Sequence, residues 1–273
     1  MQKIATFAAV KALADIIRPV ATELAQFETF FKQSLKADTE PMDSIMRHAT
    51  TSRGKRLRPI LVLLGAKLFG AVNEQTLRAA TFVEMVHTAT LIHDDVVDDS
   101  DQRRGHASVK AQFGNLSAVL SGDYLLAKAM LLLSNPKDID ILNEMLGTTA
   151  AMSEGELMQN IVADCVPQSE KTKRYLDIIT RKTALLMRSC CVAGAMSVKA
   201  TPEQIQHITD FGINFGILFQ LRDDMLDGEN TAQAQALLPE YQQKTLEALK
   251  PFPESETLES LRDLTMFCGE RTD

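Results

Sequence analysis

Tryptophan is absent from this 273-residue chain, and aromatic residues make up only 5% of it. That scarcity argues against a β-sandwich or barrel, whose strands draw on aromatic and β-branched side chains. No apolar run reaches the roughly 20 residues that cross a bilayer, so no membrane span is expected. Low-complexity linkers and tandem repeats are also missing. The apolar run from Phe7 to Val10 is short and has no cleavage-site pattern, so no signal peptide is expected. Cysteine is limited to Cys165, Cys190, Cys191 and Cys268. Their spacing fits neither a disulfide framework nor a zinc site, and reduced thiols in a cytoplasmic protein are expected. Basic residues are outnumbered, with 29 Lys and Arg against 36 Asp and Glu, for a net charge of −7. Such a field repels nucleic acid, which is excluded as a partner, and acidic membrane surfaces. An anionic substrate therefore needs a local basic patch or a bound metal.

What is present suits packed helices. Apolar residues reach 45% and Met alone numbers 12, and Leu and Ala are plentiful, all good helix formers. Pro19 suits the first turn of a helix running to about Lys36, with Leu24, Phe27, Phe30, Phe31 and Leu35 near helical period. Further helices follow Pro41, run through Leu61 to Phe69, and start after Asn73 as a cap. The last of these is long and almost continuously apolar, and it ends in an acidic cluster at Asp94. Gly105 and Gly114 mark breaks. Helices are expected from about Ser117 to Leu133, Asp138 to Ile161, Glu170 to Val198, from Pro202 to a second acidic cluster, from Leu237 to Leu249, and after Pro253. No strand alternation stands out. The whole chain, 1–273, reads as one all-α domain.

The two acidic clusters repeat one pattern. Asp94-Asp95-Val96-Val97-Asp98 and Asp223-Asp224-Met225-Leu226-Asp227 each set carboxylates at i, i+1 and i+4. On a helix, i and i+4 share a face, where like charges repel. Both clusters also sit near helix C-termini, where the dipole disfavours anions. A solvated acidic face is the plainer reading of one copy alone. Two copies of equal spacing, each after a long apolar segment, favour cation binding, and oxygen-only donors favour a hard ion such as Mg2+. A calcium loop fits poorly, because the alternate-position ligands and the twelfth-position Glu are missing. The basic counterpart is Gly54-Lys55-Arg56-Leu57-Arg58-Pro59, with Arg103 and Arg104 after the first acidic cluster. Arginine forks match phosphate oxygens and lysine supplies a point charge; surface solubility is the plain alternative. His93-Asp94 also matches the metal-binding pair of helical phosphohydrolases, but that reading leaves the second cluster unexplained. His48, His106 and His207 are assigned no role.

Taken together, GKRLRP from Gly54, HTATLIHDDVVDDSDQRRG from His87, Lys182-Thr183-Ala184 and FGILFQLRDDMLD from Phe215 resemble the trans-isoprenyl diphosphate synthase family, the chain-elongating prenyltransferases. The resemblance covers roughly residues 16–227. It implies an isoprenoid-synthase-like helical bundle around a deep central cavity, working as a homodimer. It also implies head-to-tail condensation of isopentenyl diphosphate with an allylic prenyl diphosphate. By the same resemblance, Asp94, Asp95, Asp98, Asp223 and Asp227 hold Mg2+ against the allylic diphosphate, with Asp224 in the same motif. Asp94, Asp95, Lys182 and Asp223 are the expected catalytic groups. Arg103, Lys182, Thr183 and Gln220 would contact the allylic diphosphate, and Lys55, Arg58, His87 and Arg104 the isopentenyl diphosphate.

Product length is expected to depend on the helix before Asp94. In the family, bulky residues just ahead of the first acidic motif stop elongation early. Here Ala89 and Thr90 are small, with Val86 and Phe82 deeper, which predicts a product longer than farnesyl diphosphate. Met145, Leu146 and Met152 are candidates for the lower tunnel. The chain departs from the family after the second motif. Gly228-Glu229-Asn230 leads almost directly to a segment like the family's C-terminal end, Tyr241 to Arg271, and the expected lysine-bearing lid is missing after residue 230. Lys244 and Lys250 are candidates to replace it. The shortening leaves an alternative open, a noncatalytic helical subunit that binds a synthase partner or a prenyl diphosphate. A diphosphate-ionising terpene cyclase is disfavoured, because Lys55, Arg58 and His87 provide for a second diphosphate that a cyclase does not hold.

Overall fold

Helix starts follow the capping chemistry written into the sequence. Asn73 accepts from the Thr76 amide while Thr76 returns a bond to the Asn73 amide, and Thr201 with Gln204 repeats this box with Pro202 at the first helical position. Each box satisfies two amides that a helix start otherwise leaves unpaired. The fold is a computed structural model, and it describes residues 11–51, 54–161 and 170–271. Its helices are α1 (Leu13–Ile16), α2 (Ala21–Ser34), α3 (Glu40–Ala49), α4 (Leu57–Lys67), α5 (Glu74–Val97), α6 (Val109–Phe113) and α7 (Asn115–Leu132). They continue with α8 (Ile139–Ile161), α9 (Lys171–Ile179), α10 (Leu185–Ser197), α11 (Pro202–Asp227), α12 (Thr231–Ala248) and α13 (Glu256–Glu270).

Three departures from the sequence expectations matter for the site. Pro19 sits in a short 3-10 turn, Arg18–Val20, ahead of α2. Between the acidic cluster and α6 lies a two-residue hairpin, β1 (Gln102–Arg103) with β2 (His106–Ala107), paired antiparallel; it is too short to show as alternation. The helix expected over 170–198 is interrupted by a π-helical turn at Thr180–Ala184. Such turns widen a helix locally and are frequent at functional sites, and this one contains Lys182 and Thr183.

The core lies between α4, α5, α10 and α11. Helix α4 buries every residue from Pro59 to Ala66, and α5 buries most of its middle, which is why neither reads as a simple amphipathic stripe. Helices α4 and α10 approach until backbone nearly touches backbone. A Cβ built on Gly194 would lie 2.2 Å from the Val62 carbonyl oxygen and 2.8 Å from the Ala66 nitrogen, so only glycine fits there. Cys190, Cys191 and Cys268 are free and buried; Cys165 lies outside the described residues. No described helix is long and apolar enough to cross a membrane.

Candidate active site

The basic loop before α4 and the β1–β2 hairpin both hold an arginine in left-handed backbone, Arg56 at φ 55° and Arg104 at φ 52°. Such conformations cost roughly 1–3 kcal/mol each and persist only when their surroundings enforce them. For Arg56 the enforcement is visible. Its Nε donates to Glu28 at 2.9 Å, its Nη1 donates to Glu84, and its guanidinium lies 5.1 Å from the Phe31 ring centre. Lys55 and Arg58 line a cavity together with Arg56. Gly54 contributes by lacking a side chain, since a Cβ there would fall 2.6 Å from an Arg104 guanidinium nitrogen.

That first cavity, of about 440 Å³, gathers Lys55, Arg58, His87 and Arg104, with Arg56, Glu84, Phe219 and Arg271. All four residues expected to hold isopentenyl diphosphate line it. Arg58 donates from Nη1 to His87 Nε2 at 3.0 Å. His87 is held well below its usual pKa by burial and by Arg58 and three further arginines, so it is a neutral acceptor at physiological pH. The Nε atoms of Arg58 and Arg271 are buried without a hydrogen-bond partner. Buried donors of that kind call for an acceptor, and anionic oxygens entering the cavity would supply one.

A second cavity, of about 390 Å³, shares Arg58 and His87 with the first. Polar groups there include His93, Asp94, Glu156, Lys182 and Thr183; Thr90, Leu91, Leu126, Met152 and Leu157 provide an apolar wall. Burial, then the Glu156 and Asp98 charges, push Asp94 up to about 6 against the pull of Lys182 and Arg103. Burial and like charge thus leave the ionised carboxylate poorly stabilised, which a cation would relieve. Lys182 bonds to Glu156 at 2.8 Å and to Gln159 at 3.1 Å.

The six motif carboxylates divide into distinct environments. Asp95 is buried and accepts from Arg103 Nε at 2.9 Å, so Arg103 turns back onto the motif. Asp98 and Asp227 are exposed at the ends of α5 and α11. Asp223 is raised by burial and lowered by Arg271, whose Nη2 donates to it. Asp224 is buried and accepts from Tyr175 Oη at 2.5 Å and Gln220 Nε2 at 2.7 Å. Burial and the Asp224 carboxylate together raise the Tyr175 pKa, keeping the phenol protonated. A third cavity, of about 300 Å³, holds Tyr175, Lys182, Gln220 and Asp224. Lys182 thus borders both the Asp94 cavity and the Asp224 cavity, and Asp223 acts electrostatically on Arg58. Among the described residues no three His, Cys, Asp or Glu side chains converge closely enough to hold an ion. The donor set itself, carboxylate oxygens alone, suits a hard divalent cation.

The chain-length candidates divide by helical period. Thr90 lines the second cavity with His87, Leu91, Asp94 and Val97, whereas Phe82, Val86 and Ala89 form the neighbouring stripe and are buried at 1%, 1% and 0% exposure. Met152 also lines that cavity, while Met145 is in the core and Leu146 packs against it. Lys244 and Lys250 pair with Glu240 and Glu247 on and just after α12 and line none of the three cavities. His93 of the rival pairing turns toward α7, with Nε2 3.2 Å from the Val119 carbonyl oxygen and 3.6 Å from Asp123.

Sequence reasoning had not singled out Arg271, Glu84, Glu156 or Tyr175. Arg271 reaches Asp223 across 48 residues, and no spacing rule links them. A charged residue inside the apolar run of α5 was the one available signal for Glu84.

A family model described as polyprenyl synthetase matches residues 39–236. The octaprenyl diphosphate synthase of Haemophilus influenzae is 36% identical over 200 residues, covering 73% of this chain and 60% of that protein. The all-trans-nonaprenyl-diphosphate synthase (geranyl-diphosphate specific) of Rhodobacter capsulatus is 36% identical over 214 residues, covering 78% of this chain and 65% of that protein. The chain thus spans less than two thirds of the length of these curated relatives. The crystal structure of a Caulobacter crescentus polyprenyl synthase, complexed with calcium and isoprenyl diphosphate, superposes with a TM-score of 0.88 at 25% identity, covering 97% of this chain and 100% of that one.

Proposed function

The chain belongs to the polyprenyl synthetase family, and from that premise we propose that it condenses isopentenyl diphosphate head to tail with an allylic prenyl diphosphate, giving a polyprenyl diphosphate longer than farnesyl diphosphate. The observation that carries the proposal is the pair of adjoining cavities. One is lined by Lys55, Arg58, His87 and Arg104, the other by Asp94, Lys182 and Thr183 above an apolar wall, and Arg58 and His87 border both. Two anionic substrates need positive charge on both sides if they are to lie close enough to react.

In the reaction the allylic carbon–oxygen bond breaks and diphosphate departs. The double bond of isopentenyl diphosphate forms the new carbon–carbon bond, and a proton leaves to the diphosphate. Lys182 and Thr183 take the allylic diphosphate and steady the charge that develops as it leaves. Lys55, Arg58 and Arg104 hold the second diphosphate, with neutral His87 orienting Arg58. Leu91, Leu126 and Met152 supply a dry wall for the growing chain, which protects a carbocation from water. Asp94, Asp98, Asp223 and Asp227 would hold Mg2+, with Asp95 behind them on Arg103. Bound there, the ion would neutralise the leaving diphosphate.

The working unit we propose is a cytoplasmic homodimer. Helix α7 turns Leu116, Leu120 and Leu131 outward at 75%, 51% and 71% exposure, an apolar stripe that a second copy would cover. One observation favours the noncatalytic-subunit alternative: only three residues separate the end of α11 at Asp227 from the start of α12 at Thr231, which leaves no length for a lid. Incubating purified protein with Mg2+, farnesyl diphosphate and labelled isopentenyl diphosphate separates the readings. Elongated products support the synthase. Their absence from well-folded protein rejects it in favour of the subunit.

A further inference from the structure

A hydrogen-bonded line runs from α9 through α11 to the π-helical turn. Tyr175 Oη donates to Oδ2 of Asp224 at 2.5 Å. Gln220 Nε2 donates to Oδ1 of the same carboxylate at 2.7 Å. Gln220 Oε1 in turn accepts from Thr183 Oγ1 at 2.6 Å. Tyr175, Asp224 and Thr183 are buried, at 8%, 6% and 7% exposure. Chemistry fixes the direction of every link. The phenol has one proton to give and the ionised carboxylate only accepts. The amide must therefore turn its nitrogen to Asp224 and its oxygen to Thr183.

We propose that Tyr175 is a positioning residue for the allylic-diphosphate side of the site. It anchors Asp224 as a support rather than a metal ligand and, through Gln220, sets the Thr183 hydroxyl and the turn that carries Lys182. The proposal rests on the prenyltransferase reading above. Both oxygens of Asp224 are engaged by donors, and hydrogen bonds to an ionised acceptor are the strong ones. Those two bonds fix the plane of the carboxylate in a buried setting, whereas Asp98 and Asp227 stand exposed at helix ends. The five-residue π turn, Thr180–Ala184, is a rare geometry that neighbours must hold in place. Thr183 is tied to α11 by its bond to Gln220. Removing the phenolic oxygen frees Asp224 to rotate, releases the Gln220 amide and lets Thr183 turn. Lys55 and Arg104, in the other cavity, are not part of this line.

The test uses the full chain and the variant Tyr175→Phe, which removes one oxygen and keeps the ring. Magnesium with inorganic diphosphate is titrated calorimetrically, without turnover, and both substrate KM values are measured. The expected result is a diphosphate Kd and an allylic KM each raised about tenfold, the factor that losing one charge-assisted bond implies, with the isopentenyl KM unchanged. Asp224→Asn should give the same defect, because an amide keeps one acceptor oxygen where the carboxylate has two, so it cannot accept from Tyr175 and Gln220 at once. The double variant should be no worse than either single one. Asp224→Asn alone carries the test if Tyr175→Phe does not fold. Equal rises in both KM values, or an unchanged diphosphate Kd, overturn the proposal. So does an Asp224→Asn defect that far exceeds that of Tyr175→Phe and is relieved by excess Mg2+, because that marks a ligand. Wild-type protein that neither elongates nor binds diphosphate overturns the prenyltransferase reading itself, and this proposal with it.

Discussion

Arg58 donates from Nη1 to His87 Nε2 at 3.0 Å, and the two side chains together border both principal cavities. The bond needs a neutral imidazole, and burial together with the surrounding arginines supplies one. Arg58→Lys keeps the charge but loses the planar fork and the bond to His87. Its KM for isopentenyl diphosphate should rise about tenfold, with a smaller change in the allylic KM. Steady-state kinetics with each substrate varied in turn checks this, and an unchanged isopentenyl KM rejects the assignment.

His87 also makes stability depend on pH in a definite direction. Its pKa in the folded chain lies well below the ordinary 6.5, so as pH falls the unfolded chain takes up the proton first. Above pH 6.5 the residue costs nothing. Below it, stability drops by up to about 1.4 kcal/mol per pH unit until the folded-state pKa is reached. Denaturant unfolding at pH 7.5 and 5.5 should show a larger loss for the wild type than for His87→Gln, which does not titrate.

Thr90 and Ala89 are neighbours with different expected outcomes. Thr90 faces the second cavity, so Thr90→Phe should shorten the product while leaving the melting temperature nearly unchanged. Ala89 is completely buried, so Ala89→Phe should shorten products only by pushing the helix or its neighbours, at a cost of about 1–3 kcal/mol from overpacking. Chromatographic sizing of products beside thermal melts separates the two. A Thr90→Phe enzyme with wild-type products would remove Thr90 from the tunnel.

Removing divalent ions should abolish diphosphate binding rather than merely slow turnover. Without them Asp94 and Asp98 turn negative charge toward a polyanion. Calorimetric titration of diphosphate in chelator, with and without restored Mg2+, reads this directly. Equal affinity in both conditions would argue that the basic residues suffice alone.

The contact of α4 with α10 predicts a fold-level effect. Gly194→Ala sets a Cβ against the Val62 carbonyl oxygen and the Ala66 nitrogen. Backbone cannot yield as a side chain does, so a loss of about 1–3 kcal/mol is expected, measured by denaturant unfolding. An unchanged midpoint would mean that the two helices are further apart.

Much of the frame was legible in the chain. Asn73 and Pro202 start their helices where capping chemistry says they should, and Gly114 ends α6. Other features were not legible. The π turn at Thr180–Ala184 looks like continuous helix, because helical spacing tolerates one extra residue without changing which residue types are used. The β1–β2 hairpin has two residues a side, fewer than alternation can register. At the site, Lys55, Arg58, His87 and Arg104 follow from the basic loop, His87 and the arginine pair taken with the family resemblance. The role of Arg271 at Asp223 does not, because the contact depends on how α13 packs against α11.

The same division applies to the acidic motifs. By itself the sequence determined that two carboxylate triads, spaced i, i+1 and i+4, stand at the ends of long apolar helices, because side-chain period along a helix is a local property. Which of those carboxylates remains exposed for a cation, and which is buried on Arg103 or Tyr175, only the tertiary structure decided. Those partners come from other segments, and burial beside a donor, not position in the motif, fixes what a carboxylate does.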